Sequence, residues 1–165
     1  MRFEHVLVAG AGQMGGGIAQ VVAASGRRVS LYDEAPGAVE RALGAMEKSL
    51  ARLAEKGGPA PGEVLGRVSA VDALVPADLL IEAIVEDANV KKELFRGADE
   101  LLPADAILAS NTSSIPITTL AAGTNRPDKV IGMHFFNPVP LLKLVEVIRA
   151  LQTSDETAAA IVALA

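Results

Sequence analysis

A histidine and a glutamate are spaced so that they could act together in proton transfer. His134 follows an apolar segment at 130–133, and Glu146 lies within a second apolar segment at 144–148. Because side chains alternate between the two faces of a strand, Glu146 shares a face with apolar neighbours, where a carboxylate needs a partner. If this segment returns beside the first after the turn at 138–140, the imidazole of His134 is that partner and could accept a hydroxyl proton. An edge strand with this face in water fits the spacing equally well.

A serine could contribute a hydrogen bond to a reacting oxygen at the same place. Ser113 lies in the polar segment 110–114, which follows an apolar segment at 106–109. Pro116 comes shortly afterwards, and proline is tolerated in the first turn of a helix. Serine in this position is typical of a helix N-cap, and sequence chemistry alone favours the cap.

The first part of the chain contains a glycine-rich turn. The apolar segment 5–9 leads into Gly10-Ala11-Gly12-Gln13-Met14-Gly15. Gly10 permits a tight turn, Gly12 lets a pyrophosphate approach the backbone, and Gly15 lets the following helix lie close to the strand. The sequence therefore predicts a phosphate-binding loop.

The elements after this loop extend the prediction to a whole dinucleotide. A helix begins at Gln13 and Met14, with unpaired amide N–H groups facing the phosphates, and stops at Ser25. A strand at 28–32 then ends at Asp33, whose carboxylate can accept both ribose hydroxyls of an adenosine. Because a 2′-phosphate would meet like charge there, the sequence predicts NAD rather than NADP.

The remaining chain alternates strands and helices, which predicts an α/β fold with a doubly wound, mostly parallel sheet of Rossmann type and flanking helices. Ligands of such sheets bind beyond the carboxyl ends of the strands. His5 begins a strand whereas His134 follows one, so only His134 is placed for chemistry. The segment 57–62 is rich in Gly and Pro and is predicted to be a loop, and residues 153–156 form a predicted capping box. The predicted strands lie at 5–9, 28–32, 67–71, 79–85, 106–109, 130–133 and 143–148, and apolar helical stripes lie at 14–22, 39–53, 90–101 and 158–165.

Composition narrows the classes of function. The 165 residues, half of them apolar, suit one domain over residues 1–165 with a substantial core. A formal net charge of −5 without a basic run argues against nucleic acid as a partner. With no cysteine and two histidines, we expect no metal site. No apolar stretch is long enough to span a bilayer, and glycines interrupt the first apolar segment, so no membrane partner and a cytoplasmic location are expected.

Four blocks of sequence resemble the 3-hydroxyacyl-CoA dehydrogenase family, and more narrowly its bacterial 3-hydroxybutyryl-CoA dehydrogenases. They are Gly10-Ala11-Gly12-Gln13-Met14-Gly15, Glu82-Ala83-Ile84-Val85-Glu86, Ser110-Asn111-Thr112-Ser113-Ser114, and His134-Phe135-Phe136-Asn137-Pro138 continuing to Glu146. The last two blocks are highly specific, and the match runs along nearly the whole chain.

The resemblance implies a role for each site residue. His134 is then the catalytic base, Glu146 its carboxylate partner, and Ser113 a contact to the cofactor and to the reacting oxygen of the substrate. Ser49 and Lys56 lie seven residues apart, so we expect them to project together from one long helix; they fall on coenzyme A contacts of the family. The phosphate loop and the resemblance together give the cofactor-binding residues Gly10, Gly12, Gln13, Met14, Gly15, Asp33, Glu86, Lys91, Ser113 and Asn137.

The implied activity is NAD-dependent oxidation of a (S)-3-hydroxyacyl-CoA to the 3-oxoacyl-CoA, as in fatty-acid β-oxidation, butyrate-type metabolism or aromatic-acid breakdown. The alternatives are a sugar-acid dehydrogenase of the same superfamily and a crystallin-like protein that binds NAD without turnover. In the family a second, all-helical domain forms the homodimer and closes the substrate cleft, and we expect these 165 residues not to include it. Because the apolar pattern at 158–165 ends without a cap or a breaker, we expect a domain that is cut in its last helix.

Overall fold

One sheet of six parallel strands and one antiparallel strand organises the computed structural model, which describes residues 3–165. The order across the sheet is β3-β2-β1-β4-β5-β6-β7, and only β7 runs antiparallel to its neighbour. The sheet is therefore doubly wound, as predicted, with the direction of winding reversing between β1 and β4. The strands are β1 (His5–Ala9), β2 (Arg28–Tyr32), β3 (Val68–Val71), β4 (Leu79–Glu82), β5 (Ile107–Ser110), β6 (Val130–Phe135) and β7 (Val145–Arg149).

Five α-helices and one turn of 3₁₀ helix, Pro127–Lys129, lie between strands in the described part of the chain, and a sixth α-helix follows β7. The prediction of an unbroken loop over 57–62 is wrong at its end, because a short helix begins at Pro61. Proline is pre-organised for the first helical position, and the buried side chain of Val64 anchors this helix. The helices are α1 (Gln13–Ala24), α2 (Ala38–Ala54), α3 (Pro61–Leu65), α4 (Ala88–Leu101), α5 (Ile117–Ala121) and α6 (Asp155–Val162).

Apolar side chains cover both faces of the sheet. Alternate residues of β1 belong to different clusters: Val6 packs with α1, α2 and α6, whereas Leu7 packs with α4 and α5. All four residues of β4 and of β5 are buried, as expected of central parallel strands. The polar ends of these strands are thus held on a rigid support.

Two strand boundaries differ from the prediction in ways that matter for the site. β4 ends at Glu82 rather than at 85, since the Glu82 carboxylate accepts the N–H of Ile84 at 2.8 Å and turns the chain out of the sheet. β6 continues to Phe135, so that His134 lies inside the strand instead of after it.

The start of the last helix also differs from the predicted capping box. Ser154 is the N-cap and accepts the N–H of Thr157, whereas Thr153 donates to the carbonyl oxygen of Val130 at 2.6 Å. The helix ends at Val162, earlier than the apolar pattern predicts. None of the helices within residues 3–165 is long and apolar enough to cross a membrane.

Candidate active site

Glycines shape the loop between β1 and α1. Gly10 has φ +101°, and a Cβ at this position would lie 2.4 Å from the carbonyl oxygen of Ala83. A Cβ on Gly15 would lie 1.8 Å from the carbonyl oxygen of Gly10, so only glycine lets the helix approach the strand this closely. No heavy atom lies within 4 Å of the place that a Cβ on Gly12 would take. This open space suits a phosphate group that approaches the backbone.

The first turn of α1 leaves its amide N–H groups for an anion. Its N-cap, Gly12, has no side chain that could accept them, and the first turn contains no acidic residue. Gln13 extends sideways from this turn, and its Nε2 donates to Oδ1 of Asn137 at 3.1 Å. The phosphate loop is thereby joined to the loop that follows β6.

Asp33 borders the same loop from the end of β2. Its Oδ2 accepts the N–H of Ala11 at 2.7 Å, and its Oδ1 accepts the N–H of Ala35 at 2.8 Å. Each carboxylate oxygen keeps a further lone pair, so the side chain fits a pair of ribose hydroxyls. Asp33 lines a cavity of about 390 Å³ with Gly10, Gly12 and residues of α4. These residues fit the adenosine half of a dinucleotide.

A second cavity, also of about 390 Å³, brings together most of the side chains predicted to do chemistry. It lies at the carboxyl ends of parallel strands, where ligands of doubly wound sheets bind. We call it the reactive cavity. It is lined by Met14, Ala83, Ile84, Glu86, Lys91, Asn111, Ser113, His134, Phe135, Phe136 and Asn137.

His134 and Glu146 face each other across β6 and β7. They are register partners in the antiparallel pair, and Nδ1 of His134 lies 2.8 Å from Oε2 of Glu146. The ring of Phe136 packs against the imidazole, with ring centroids 4.9 Å apart. The side chain of Glu146 is 54% exposed, so the two interpretations of the sequence are both partly right: this is an edge strand facing water, and the pair forms. Engagement of Nδ1 leaves Nε2 for a ligand.

Ser113 does not cap the helix that follows it. The N-cap of α5 is Pro116, and the hydroxyl of Thr112 accepts the N–H of Ile115 at 3.0 Å. Ser113 is exposed and lines the reactive cavity. The N-cap interpretation is therefore wrong, because Pro116 is the N-cap and no side chain caps this helix, which leaves the Ser113 side chain at the cavity.

Glu86 organises the loop that carries Ser113. Its Oε1 accepts the hydroxyl of Thr112 and the backbone N–H groups of Ser113 and Ser114, the last two at 3.2 and 3.3 Å. Burial raises the pKa of this carboxyl, but hydrogen bonds from Thr112, Lys91 and Ser114 and the charge of Lys91 outweigh burial and lower the pKa to about 2. Glu86 is therefore ionised at neutral pH.

Lys91 lies at the wall of the reactive cavity but is only 1% exposed. Its Nζ donates to Glu82, lies 3.2 Å from Oε2 of Glu86 and lies 3.4 Å from the carbonyl oxygen of Ile84. The three protons of the ammonium group thus have acceptors within the protein. The direct cofactor contact that the resemblance implies for Lys91 is at odds with this burial, and the geometry favours an indirect effect through Glu86.

Two polar residues of this region were missed by the sequence reasoning. Asn111 lines the reactive cavity, and its Oδ1 accepts the N–H of Phe135 at 2.9 Å. Glu82 is 0% exposed and accepts Lys91. A lone carboxylate in an otherwise apolar strand, with a lysine nine residues later, is the signal that could have revealed Glu82.

A groove of about 480 Å³ runs between α1, α2 and the loop after β6. Ser49 lines this groove, and so does Arg41, but Lys56 does not. The expectation that Ser49 and Lys56 project together from one helix is wrong, because α2 ends at Ala54 and Lys56 lies in the turn before Gly57.

The fold and these cavities define a dinucleotide-binding domain of the Rossmann type that carries a histidine–carboxylate pair. The family model described as the 3-hydroxyacyl-CoA dehydrogenase NAD binding domain matches residues 5–165. The chain belongs to this family, as its NAD-binding domain.

Individual relatives agree with the family model. A probable 3-hydroxybutyryl-CoA dehydrogenase of Bacillus subtilis is 53% identical over all of this chain and 60% of its own length. A protein of the same description from Deinococcus radiodurans is 54% identical over 92% of this chain and 56% of its own length. The crystal structure of (S)-3-hydroxybutyryl-CoA dehydrogenase from Ralstonia eutropha superposes with a TM-score of 0.93 at 41% identity, over 99% of this chain and 60% of that one. This chain therefore spans little more than half the length of these relatives.

Proposed function

We propose that this domain belongs to an enzyme that interconverts a (S)-3-hydroxyacyl-CoA and its 3-oxoacyl-CoA with NAD. The observation that carries the proposal is the 2.8 Å contact of Glu146 with His134, whose side chain lines the reactive cavity together with Ser113. A histidine that is oriented by a carboxylate can act as the general base that removes a hydroxyl proton. The named relatives, described as 3-hydroxybutyryl-CoA dehydrogenases or probable ones, support the same substrate class.

His134 is proposed as the general base. NAD, when bound, supplies the hydride acceptor. With Nδ1–H donated to Glu146, the opposite nitrogen, Nε2, accepts the proton of the substrate hydroxyl. Glu146 holds the ring in this tautomer and stabilises the imidazolium that results. In the reverse direction His134 returns this proton to the forming alkoxide.

Ser113 is proposed to donate its hydroxyl hydrogen to the reacting oxygen. This role is consistent with the exposure of Ser113 and with the two backbone hydrogen bonds through which Glu86 holds the loop. The charge that develops on the oxygen is then shared between Ser113 and the imidazolium of His134.

The remaining residues are proposed to hold the cofactor. Gly10, Gly12 and Gly15 let the pyrophosphate approach the start of α1, where the N–H groups of Gln13 and Met14 point outward. Asp33 accepts the adenosine ribose. At the other end of the cofactor, Glu86 and Asn137 border the reactive cavity, with Lys91 holding Glu86 from behind.

The coenzyme A end of the substrate is proposed to lie along the groove that Ser49 lines. Lys56 is exposed on the turn after α2, where its ammonium group suits a phosphate. Because Lys56 does not line the groove, its contact is proposed with the part of the nucleotide that extends beyond it.

The wider context is also a proposal. We infer that the complete protein carries the helical domain of the family, forms a homodimer through it and acts in fatty-acid β-oxidation in the cytoplasm. The length of the relatives supports a further domain, and the exposed side chains of Leu141, Leu142 and Leu144 offer apolar surface for it. Light scattering of the full gene product tests this point, with twice the mass of one chain as the expected result.

The activity is tested by following NADH oxidation by the full gene product with acetoacetyl-CoA. Free acetoacetate and a sugar keto acid serve as controls. Turnover with the thioester alone is expected. Turnover of the sugar keto acid instead would favour a sugar-acid dehydrogenase, and tight NADH binding without turnover of any of the three would favour a non-catalytic NAD-binding protein.

A further inference from the structure

A series of ionic contacts, buried at one end and exposed at the other, runs from the sheet to the reactive cavity. Glu82, the last residue of β4, is 0% exposed, and Lys91 of α4 is 1% exposed. Lys91 donates to Oε1 of Glu82 and lies 3.2 Å from Oε2 of Glu86, which borders the cavity. We call Glu82, Lys91 and Glu86 the ionic chain.

Stability is a poor explanation for the buried half of this chain. Removing a carboxylate and an ammonium group from water is costly, and apolar residues of similar volume often stabilise a core as well or better. The pair nevertheless has every hydrogen bond it needs: besides Lys91, Glu82 accepts the hydroxyl of Ser110 at 2.6 Å and the N–H of Ile84 at 2.8 Å. A fully satisfied buried network holds its members in one arrangement.

The ionic chain contacts the Ser113 loop at two places. Glu86 directs Oε2 at Lys91 and Oε1 at the N–H groups of Ser113 and Ser114. At the start of the loop, Ser110 donates its hydroxyl to Glu82, and the same hydroxyl oxygen accepts the N–H of Thr112 at 3.1 Å. Glu82 therefore controls the loop both directly and through Lys91.

We propose that Glu82 and Lys91 are positioning residues that set the place of Ser113 in the reactive cavity. The inference rests on the proposed function for its catalytic consequence, but its structural content stands apart from that function. Loss of the buried pair is expected to release the loop from Glu86 without removing any group that touches the substrate.

The test is the double variant Glu82→Gln/Lys91→Met, which removes both buried charges at similar volume. We expect a free energy of unfolding near that of the wild type and amide exchange of Ser113 and Ser114, measured by NMR, about tenfold faster relative to the rest of the protein. Because small displacements of a positioned group cost much rate, kcat with acetoacetyl-CoA should fall by about 10- to 100-fold. KM for the thioester should stay within about threefold, since no substrate contact is removed.

Asp99→Asn provides a matched control at the other end of α4. Asp99 is buried and accepts Nε of Arg126 at 2.6 Å. This variant is expected to lower the free energy of unfolding while leaving kcat, and the exchange of Ser113 and Ser114 relative to the rest of the protein, unchanged. If the double variant and Asp99→Asn change kcat and the relative amide exchange of Ser113 and Ser114 equally, the ionic chain contributes only to stability and the proposal is overturned.

A second arm compares Ser113→Ala in the wild type and in the double variant. If the ionic chain acts through Ser113, this substitution lowers kcat less in the double variant than in the wild type. Faster exchange at Ser113 and Ser114 in a protein that never turns over acetoacetyl-CoA would support the positioning role and reject the proposed function. Unchanged amide exchange at Ser113 and Ser114, together with normal turnover of acetoacetyl-CoA by the wild type, would reject the positioning role and support the proposed function.

Ser110→Ala keeps the test open if the double variant does not fold. It removes one hydroxyl from the same network and neither charge. Faster amide exchange at Thr112 together with a lower kcat is expected, whereas no change in either quantity would contradict the proposal.

Discussion

The side chain of Asn111 holds the backbone of Phe135, since its Oδ1 accepts that N–H at 2.9 Å. This bond joins the loop after β5 to the residue that follows His134, and Asn111 and His134 line the same cavity. The place of the His134 imidazole therefore depends on an amide in the neighbouring strand connection as well as on Glu146.

Asn111→Ala is expected to lower kcat by about tenfold or more, because a small displacement of a catalytic group costs much rate. Stopped-flow assays at saturating NADH and thioester measure the effect. Asn111→Asp retains an acceptor for the N–H of Phe135, so its melting temperature should stay nearer to that of the wild type than the melting temperature of Asn111→Ala. Full activity of Asn111→Ala would show that the bond has no role in placing His134.

His134→Ala should lower kcat by about 10²- to 10⁴-fold, the usual contribution of a general base. Glu146→Gln should cause a smaller loss, because the histidine remains but loses the charge that stabilises its cationic form. Both variants should bind NADH within about threefold of the wild-type affinity in fluorescence titrations. A fall in affinity that matches the fall in rate would assign the pair to cofactor binding instead.

Alanine substitutions at two glycines should separate folding from cofactor binding. In Gly15→Ala a Cβ would meet the carbonyl oxygen of Gly10 at 1.8 Å, so the melting temperature and NADH binding should both fall. Gly12→Ala meets no atom within 4 Å and should retain its melting temperature while losing about tenfold or more in NADH affinity.

Gly44→Ala is the control for these glycines. It lies in α2, its Cβ would face open space, and alanine should raise the free energy of unfolding by about 0.5–1 kcal/mol. NADH affinity should not change. If Gly12→Ala binds NADH with the wild-type affinity, the pyrophosphate of the cofactor does not lie against Gly12.

The pKa of Glu86 leads to a prediction about acid stability. Its pKa is lowered from 4.5 to about 2 in the folded chain, so the folded state binds a proton less readily than the unfolded chain does. The contribution of this carboxylate to the free energy of unfolding is therefore complete above about pH 4.5 and is lost as the pH falls toward about 2.

Glu86→Gln should accordingly be less stable than the wild type at pH 7, and the difference should shrink as the pH approaches about 2. Urea unfolding of both proteins at several pH values measures this difference. Asp99, whose pKa is also lowered by hydrogen bonds from Asn125 and Arg126 against the effect of burial, is present in both proteins, so its own titration cancels. A difference that is constant with pH would contradict the prediction.

The phosphate loop and the sheet were predictable because local rules determine them. Gly10 is required by its φ of +101°, and Gly15 by its contact with Gly10, both within a single strand–turn–helix unit, and Asp33 directly follows the adjacent strand. The alternation of apolar segments with helical stripes likewise predicted the parallel sheet. The pattern of apolar residues does not determine which strands pair. The spacing therefore left the partner of Glu146 open, and the pairing of β7 with β6 identifies it as His134.

The ends of elements and the buried polar contacts were less predictable. Whether β4 stopped at Glu82 or at Val85 depended on a side-chain hydrogen bond to Ile84 that no apolar pattern records. The burial of Lys91 depends on two carboxylates, Glu82 at the end of β4 and Glu86 in the connection between β4 and α4. Lys56 was misplaced because helical spacing was extended past the real end of α2.

The antiparallel return of β7 holds His134 and Glu146 together through strand pairing alone. Strand pairing places His134 directly opposite Glu146, and it fixes both ends of the intervening loop, residues 136–144. Residues of this loop line both the reactive cavity and the groove beside α2. The length and composition of this loop can therefore change while His134 keeps Glu146 as its partner, so that the lining of the two cavities and the His134–Glu146 contact can evolve independently of each other.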